Sequence, residues 1–539
     1  MTALERAVER ATWGASAALL AIVVWLVAFS TASAGEPSLL RVALAVDPVT
    51  MDPHALNAGS TLFVTRSIYE PLVGRGKLNE KVPALAVEWT QAEPSRWRFV
   101  LRRNVRFHDG APFDADDVVF SINRAKAGAS GFGQYVSTIA RVEIVDSHTV
   151  DVLTTGPDPL LADSLTRVLI MDRDWATRAG AEEPAVAGNT AAKFYASEHA
   201  NGTGPYRLVS YQGGSRVELE TYPEWWSARE GNIDKVDYLT IGDAGPRIAA
   251  LLAGDVDLVA DVPPQSMEML RKRQDIRIES GPENRTIFLG FDQHRDHLLH
   301  GSAAGNPFKD RRVRQAIYQA IDAEAIRARL MEGQSLPTGF LWAPSVFGYD
   351  PNYDKRPAVD TAAARGLLKA AGYPNGFSVT LDCPAQRYVN SREICEAVGA
   401  MLARIGIKVA VNVMPFPIYI SRITTFDTSF YLMGWAAPTF DALFTLQALV
   451  RSRADGTADG AWNWGRYSNP SLDALIDQIK GTTAGADRAK LMHRAHMLVR
   501  DDVAYVPIHD QMIVWAMRKN ISAVLQPENQ LDVKWVQIR

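Results

Sequence analysis

Residues 97–124 read WRFVLRRNVRFHDGAPFDADDVVFSINR, the segment of the chain that is most informative about its fold. Apolar side chains alternate from Trp97 to Leu101, which predicts a half-buried strand. Gly110 lies in a turn, where its backbone freedom is useful. Asp114 is placed to cap the helix that follows. The stretch is therefore a strand, a turn and a helix, and most of its residues are expected to build scaffold.

The same alternation of strands and helices extends outward along the chain. Residues 236–241 and 256–260 predict two strands, with a helix between them that Pro246 begins and Gly254 ends. The other predicted elements are a hairpin at 142–153, helices at 308–331 and 391–405, a helix capped by Asp360 and ended by Gly372, strands at 377–381, 407–413 and 428–435, and a helix opened by Asn469-Pro470. The pattern predicts an α/β fold.

Length and composition limit the classes of protein to consider. The chain has 539 residues, which predicts two or three domains. It is 47% hydrophobic and 22% charged, as folded proteins are. Its formal net charge is −4, so it has no basic surplus to neutralise phosphates. Nucleic acid is therefore not expected as a partner.

Residues 1–34 have the features of a secretory signal. Arg6 and Arg10 precede the apolar run 17–29, and Ala32-Ser33-Ala34 offers a cleavage site. The uncharged run is also long enough to span a bilayer, so an uncleaved anchor remains the alternative. The body of the protein is expected outside the cytoplasmic membrane in either case.

The chain has two cysteines, Cys383 and Cys395, between a predicted strand end and a predicted helix start. A close pair in an oxidising compartment predicts a disulfide. Two free buried thiols are the alternative.

Eight segments, in order, resemble one known family: extracellular solute-binding proteins of peptide/nickel-type ABC importers, called family 5. Any one segment would be a weak signal, and the order over almost the whole chain makes it specific. The segments are MDPH (51–54), SIYEPLV (67–73), WRFVLRRNVRFHDGAPFDADDVVFSINR (97–124), GTGPYRL (202–208), LLAGDVDLV (251–259), PFKDRRVRQAIYQAID (307–322), GW (434–435) and YSNPSLDALI (467–476).

The resemblance implies a two-lobed periplasmic-binding-protein fold that closes over a solute at a hinge. The first lobe is expected to hold residues 35–295 and 511–539, with an extra subdomain at about 80–200, and the second lobe 296–510. The resemblance further implies a small-molecule or peptide ligand, delivery to the membrane subunits of an ABC importer, a monomeric protein in the periplasm, and no cofactor.

Two residues are expected in the ligand cleft because they resemble the family's binding residues. Trp435 ends the apolar strand FYLMGW, where the family commonly faces its ligand with tryptophan. Arg387 resembles the arginine with which dipeptide binders hold a carboxylate, since a guanidinium offers two parallel hydrogen bonds. The structural alternatives are a core aromatic and a surface arginine. Tyr388, Tyr419, Asn463 and Trp464 are further candidates for the pocket.

One position departs from the family pattern. Peptide binders often place an aspartate three residues after the tryptophan to hold the ligand's α-amine, and this chain has Pro438 there. Asp441 is a possible substitute, with a helix cap as its alternative role. The sequence therefore favours a ligand that has an acidic group but lacks a free α-amine in the dipeptide position.

Other functions receive less support. His294, His297 and His300 recur every third residue and invite a zinc-hydrolase interpretation, but HExxH and Gly-x-Ser-x-Gly motifs are absent. No metal site is predicted, although nickel occurs as a ligand in the family. A peptide-holding receptor or chaperone that takes no part in import is a further alternative.

Overall fold

The computed structural model describes residues 37–185, 194–303, 305–385, 387–482 and 485–539. The predicted signal at 1–34 lies outside these ranges. Within them, no helix combines the length and the apolar character that a membrane crossing requires.

Twenty strands are formed by the described residues. They are β1 Leu39–Leu44, β2 Val73–Arg75, β3 Lys81–Pro83, β4 Ala86–Glu93, β5 Arg96–Leu101, β6 Ile139–Asp146, β7 Thr149–Thr154, β8 Tyr206–Gln212, β9 Arg216–Thr221, β10 Lys235–Thr240, β11 Leu258–Val259, β12 Ile276–Phe291, β13 Gly301–Ser302, β14 Ser335–Pro337, β15 Phe377–Ala385, β16 Ile407–Pro415, β17 Phe430–Trp435, β18 Val506–Arg518, β19 Ile521–Ser522 and β20 Gln537–Ile538.

Sixteen α-helices accompany them in the same ranges. They are α1 Gly59–Ile68, α2 Ala115–Lys126, α3 Gly133–Val136, α4 Leu161–Ser164, α5 Arg173–Arg178, α6 Tyr195–Glu198, α7 Ala244–Ala253, α8 Met267–Arg271, α9 Arg311–Ala320, α10 Ala323–Arg329, α11 Thr361–Ala370, α12 Ser391–Ala403, α13 Phe416–Thr424, α14 Ala442–Thr445, α15 Pro470–Gly481 and α16 Gly485–Asp501.

One 12-stranded sheet runs through the molecule, in the order β13-β15-β17-β12-β18-β11-β1-β10-β9-β8, with β14 on β18 and β16 on β15. The long strands β12 and β18 pair along both halves, and their register shifts between Pro282 and Thr286. Residues 276–282 of β12 pair with the part of β18 that adjoins β11. Residues 286–291 of β12 pair with β17. The molecule therefore has two halves that share two crossing strands, which confirms the mixed α/β, two-lobed expectation.

The stretch 97–124 lies in a separate four-stranded sheet of the first half, ordered β4-β5-β7-β6. Phe99, Val118 and Ile122 are fully buried in its core. Asp114 and Asp117 form the two reciprocal hydrogen bonds of a capping box at the start of α2. This sheet lies inside the predicted subdomain at about 80–200; the lobe boundaries at 295 and 510 stay predictions.

Other local predictions have mixed outcomes. Asp360 and Asn469 cap their helices as expected. The single helix predicted for 308–331 is wrong, because it divides into α9 and α10. Asp322 accepts a hydrogen bond from the Ala325 amide and so begins a new helix where the apolar stripe alone favoured continuation.

Candidate functional site

The two halves contact each other at the loop that follows β17. Arg167 of the first half donates from Nε and Nη2 to the carbonyl of Pro438, each at 3.2 Å. Arg75 donates to the carbonyl of Thr439 at 3.1 Å, and its guanidinium lies 5.3 Å from the Phe440 ring centroid. Two arginines of the first half therefore hold the backbone of the second half just beyond the predicted cleft tryptophan.

The crossing strands form the floor between the halves. Asn284 donates to the carbonyl of Ala437 at 2.7 Å. Gln511 donates to Glu283 at 2.6 Å and accepts from the amide of Val389 at 3.2 Å. We define the cleft as the space bounded by residues 283–285, 387–389 and 435–440. The fold thus brings the hinge region, the Arg387 loop and the end of β17 together.

Arg387 is exposed at this cleft. Its guanidinium lies 5.6 Å from the ring centroid of Tyr388 and 5.1 Å from that of Phe416. Among the described residues, no carboxylate lies within ion-pair distance of it. Crowding by surrounding atoms, together with repulsion from Arg285, lowers the pKa of Arg387. Arg285 itself pairs with Glu283 at 2.9 Å. The cleft therefore contains two guanidinium groups near one carboxylate.

The Tyr388 ring packs on the backbone of Gly434. A Cβ at Gly434 would come within 2.6 Å of that ring, so the small residue before Trp435 makes room for the tyrosine. The Tyr388 hydroxyl donates to the carbonyl of Gly434 at 3.4 Å, and the ring is nearly buried. The structure thus places Tyr388 with Ile287 on the face of the sheet at Gly434, whereas Trp435 belongs to the separate cluster of the opposite face.

Trp435 belongs to an aromatic cluster. Its indole donates to Thr445 at 2.9 Å, and its ring lies 5.9 Å from Phe444 and 5.7 Å from Trp462. Trp464 continues the cluster, 6.0 Å from Trp462. Trp435 is 7% exposed, while the other three aromatic side chains are half-buried. One wall next to the cleft is therefore apolar and aromatic.

Asp441 has internal partners for both carboxylate oxygens. It accepts from the Leu443 amide at 2.9 Å, as a helix cap, and from Arg488 at 2.5 and 2.8 Å. Burial raises the pKa of Asp441, and the hydrogen bonds from Arg488 offset part of that rise. The carboxylate is thus engaged within the second half.

Two other candidates also have structural partners. Asn463 is fully buried and donates to the carbonyls of Arg451 and Tyr467. Tyr419 is buried and donates to the carbonyl of Leu432. Their hydrogen bonds join loops and strands of the second half to one another.

Comparison with known proteins decides the family. The model of "Bacterial extracellular solute-binding proteins, family 5 Middle" matches residues 80–457. The chain belongs to this family. It is 25% identical over 492 residues to the glutathione-binding protein GsiB of Shigella flexneri, covering 89% of this chain and 90% of that protein.

Solved structures show the same fold. The periplasmic binding protein DppA of Helicobacter pylori, in complex with peptide STSA, has a TM-score of 0.76 and 23% identity over 93% of this chain and 98% of its own. AgaA of A. tumefaciens R10, in complex with agropinic acid, has the same TM-score and identity over 93% and 99%. Like them, this family 5 protein has two lobes. It is the substrate-binding component of an ABC importer, and its relatives are binding proteins.

Sequence reasoning missed several residues of this family 5 cleft. Arg75, Arg167 and Arg285 lie on segments far from Trp435 in sequence, and no motif distinguishes them from surface arginines. Phe444 and Trp462 also escaped notice, although their aromatic character near a glycine-tryptophan pair was a usable signal.

The histidines form no metal site in the described part of the chain, where no group of three His, Cys, Asp or Glu residues could hold an ion. His300 instead pairs with Asp427 at 2.6 Å on the surface. The cysteine pair has a different outcome, because the Cys383 and Cys395 sulfurs are bonded in the structure. That bond closes the chain segment that carries Arg387 and Tyr388.

Proposed function

We propose that this protein captures, in the periplasm, a small peptide-like ligand with a carboxylate and without a free α-amine in the dipeptide position, and delivers it to the importer's membrane subunits. The observation that supports this most directly is Arg387, an exposed cleft guanidinium without a carboxylate partner among the described residues.

Charge in the cleft favours an anionic group. Arg387 and Arg285 share a region in which Glu283 pairs with Arg285 alone. A ligand carboxylate on Arg387 would relieve the repulsion between the two guanidinium groups. It would also meet two N–H donors in a planar arrangement, the geometry that makes arginine–carboxylate contacts strong.

Within the described part of the cleft, an ammonium group finds no equivalent site, because the Glu283 carboxylate is paired with Arg285. Where an acid would stand in a dipeptide binder, Pro438 offers only its carbonyl, and Arg167 already donates to it. Asp441 is paired with Arg488. A free α-amine at this position would lose its hydration without gaining a carboxylate, which costs affinity.

The ligands named for the relatives agree with the carboxylate part of this chemistry, while the STSA peptide also has a free α-amine. Glutathione and agropinic acid both appear in the names of similar proteins, beside the peptide of the Helicobacter pylori protein. The aromatic wall of Trp435, Phe444 and Trp462 suits the apolar or flat part of such a compound.

A matched pair of ligands tests the proposal. Isothermal titration would compare a free dipeptide, its N-acetyl form and glutathione on the mature protein. The N-acetyl form or glutathione should bind at least tenfold more tightly than the free dipeptide, and Arg387→Gln should weaken that binding. Tight binding of ordinary free dipeptides would contradict the amine argument, and an unchanged affinity in Arg387→Gln would contradict the carboxylate site.

Secretion is tested separately. N-terminal sequencing of protein from cells should begin at Gly35 if residues 1–34 are removed. A chain that still begins near Met1 and fractionates with membranes would mean an uncleaved anchor. Co-purification with importer membrane subunits would separate import from a receptor or chaperone role.

A further inference from the structure

The first half contains a second cavity, of about 250 Å³. Its walls are the end of α1 with the following turn (66–71), the β2–β3 hairpin, the loop 225–228 and the C-terminal segment 526–535. No lining residue comes from the second half, and none belongs to the three segments that bound the cleft. The cavity therefore lies in the first half, and its wall residue Arg75 reaches the edge of the cleft through the Thr439 carbonyl.

Each carboxylate in these walls has a partner. Glu70 accepts from two tryptophan indoles and a threonine hydroxyl, the shortest bond being 2.7 Å. Glu230 pairs with Lys77 at 2.6 Å, and Asp532 pairs with Lys534 at 2.6 Å. Glu230 and Asp532 thus have cationic partners, whereas Glu70 has neutral donors alone and burial raises its pKa to about 7.

Two arginines in the walls keep unused donors. Arg66 pairs with Glu528 through Nη1 at 2.6 Å, while its buried Nη2 has no hydrogen-bond partner among the described residues. Arg75 pairs with Asp163 through Nη2 at 2.9 Å, and its buried Nε is likewise without a partner. A buried donor that stays unpaired costs about 1–3 kcal/mol, and both side chains belong to the cavity lining.

The charge around Arg66 and Arg75 is positive. Arg66, Arg75 and Arg167 all attract the Glu528 carboxylate, and despite its burial they lower its pKa. Only Glu528 and Asp163 pair with these three guanidinium groups in the described structure. The cluster of three guanidinium groups and two carboxylates therefore keeps a positive excess beside the cavity.

The rest of the cavity is aromatic. Trp226 and Trp535 line it, and both indoles are half-buried. We propose that this cavity is an accessory site for a small organic anion, whose carboxylate or phosphate group binds Arg66 and Arg75 and whose flat or apolar body lies against the tryptophans. Neither the cleft chemistry nor the family's import function requires such a site.

Two probes of different anionic group test the site: benzoate and inorganic phosphate, titrated into the full mature protein by calorimetry. At least one should bind saturably at a 1:1 ratio. Arg66→Gln should weaken that binding at least tenfold. Because Arg66→Gln also removes a partner of Glu528, Ala228→Trp serves as a second variant, since Ala228 is exposed in the cavity wall and a bulky ring there obstructs entry.

Arg207→Gln is the matched control, because Arg207 is exposed and pairs with Glu220 at 2.6 Å away from the cavity. It should leave probe binding unchanged. Absence of saturable binding by both probes would overturn the proposal, and so would binding that both cavity variants leave intact. Binding lost only in Arg387→Gln would place the probe in the cleft, which overturns this site and leaves the proposed function standing.

Discussion

Arg488 and Arg387 are both in the second half, and both lie beside aromatic rings. Arg488 is 7% exposed, lies 5.6 Å from the Phe347 centroid and makes two hydrogen bonds to Asp441. Arg387 is exposed, lies 5.1 Å from the Phe416 centroid and has no carboxylate partner among the described residues. The same side chain thus stabilises the fold in one place and remains free to bind a solute in the other. Burial and a matched acid distinguish the two roles.

The largest expected effect comes from removing the acid of the buried pair. Asp441→Ala leaves Arg488 buried without its partner, which costs about 3–5 kcal/mol of unfolding free energy. Arg387→Ala should cost less than about 1 kcal/mol, since it removes only ring contacts at an exposed site. Urea unfolding of both variants measures the difference. Equal losses would mean that the two arginines do not differ in structural role.

The disulfide affects the two arginines differently, because it closes the segment that carries Arg387. Cys383→Ala with Cys395→Ala opens a loop of about 13 residues and should cost about 3 kcal/mol of stability. The freed loop should also hold Arg387 less firmly, so ligand affinity should fall several-fold while Asp441 and Arg488 keep their pairing. Unfolding and titration on the same preparation test both parts. Full ligand affinity in the double variant would show that the loop is positioned without the bond.

Conservative replacements of Arg387 separate charge from geometry. Arg387→Gln should weaken ligand binding by about 1.5–3 kcal/mol, which is on the order of 10- to 100-fold. Arg387→Lys should fall between Gln and the native residue, because an ammonium keeps the charge but loses the planar pair of donors. Unfolding free energy should stay constant across the series. If the lysine variant binds ligand as tightly as the native protein, charge attraction alone accounts for the contribution of Arg387 and the planar pair of donors is not needed.

Local chemistry made much of the fold predictable. A helix start is predictable where a capping side chain accepts hydrogen bonds from amides only two or three residues away. This is the case at Asp114, Asp360 and Asn469. The predicted strand end at Trp435 is confirmed, while its contact with ligand stays a prediction. Where the sequence misled, as in the helix predicted across Asp322, a cap competed with an apolar stripe and prevailed.

Partners distant in sequence were beyond such reasoning. The sequence left Asp441 as a candidate for binding the ligand's amine. In the fold its carboxylate pairs with Arg488, which lies 47 residues away in the chain. Arg167 and Arg75 meet the second half across 271 and 364 residues, and only the packed fold brings them there. A polar residue's role therefore depends on what the tertiary structure sets against it, which is why the ligand candidates Tyr388, Tyr419, Asn463 and Trp464 remain predictions.

The smallest effect concerns the contact that closes the cleft. Arg167→Gln removes the donors to the Pro438 carbonyl, which should destabilise the closed state by about 1 kcal/mol. Ligand affinity should therefore fall several-fold. The ion pair between Arg66 and Glu528 should remain. Its matched control is Arg365→Gln, because Arg365 donates in the same way to the carbonyl of Arg404 but within one half. Small-angle scattering with and without ligand should show a larger open fraction only in Arg167→Gln. If both variants bind and close alike, the arginine–carbonyl contact merely accompanies closure, and the energy that holds the lobes together must come from the solute on Arg387.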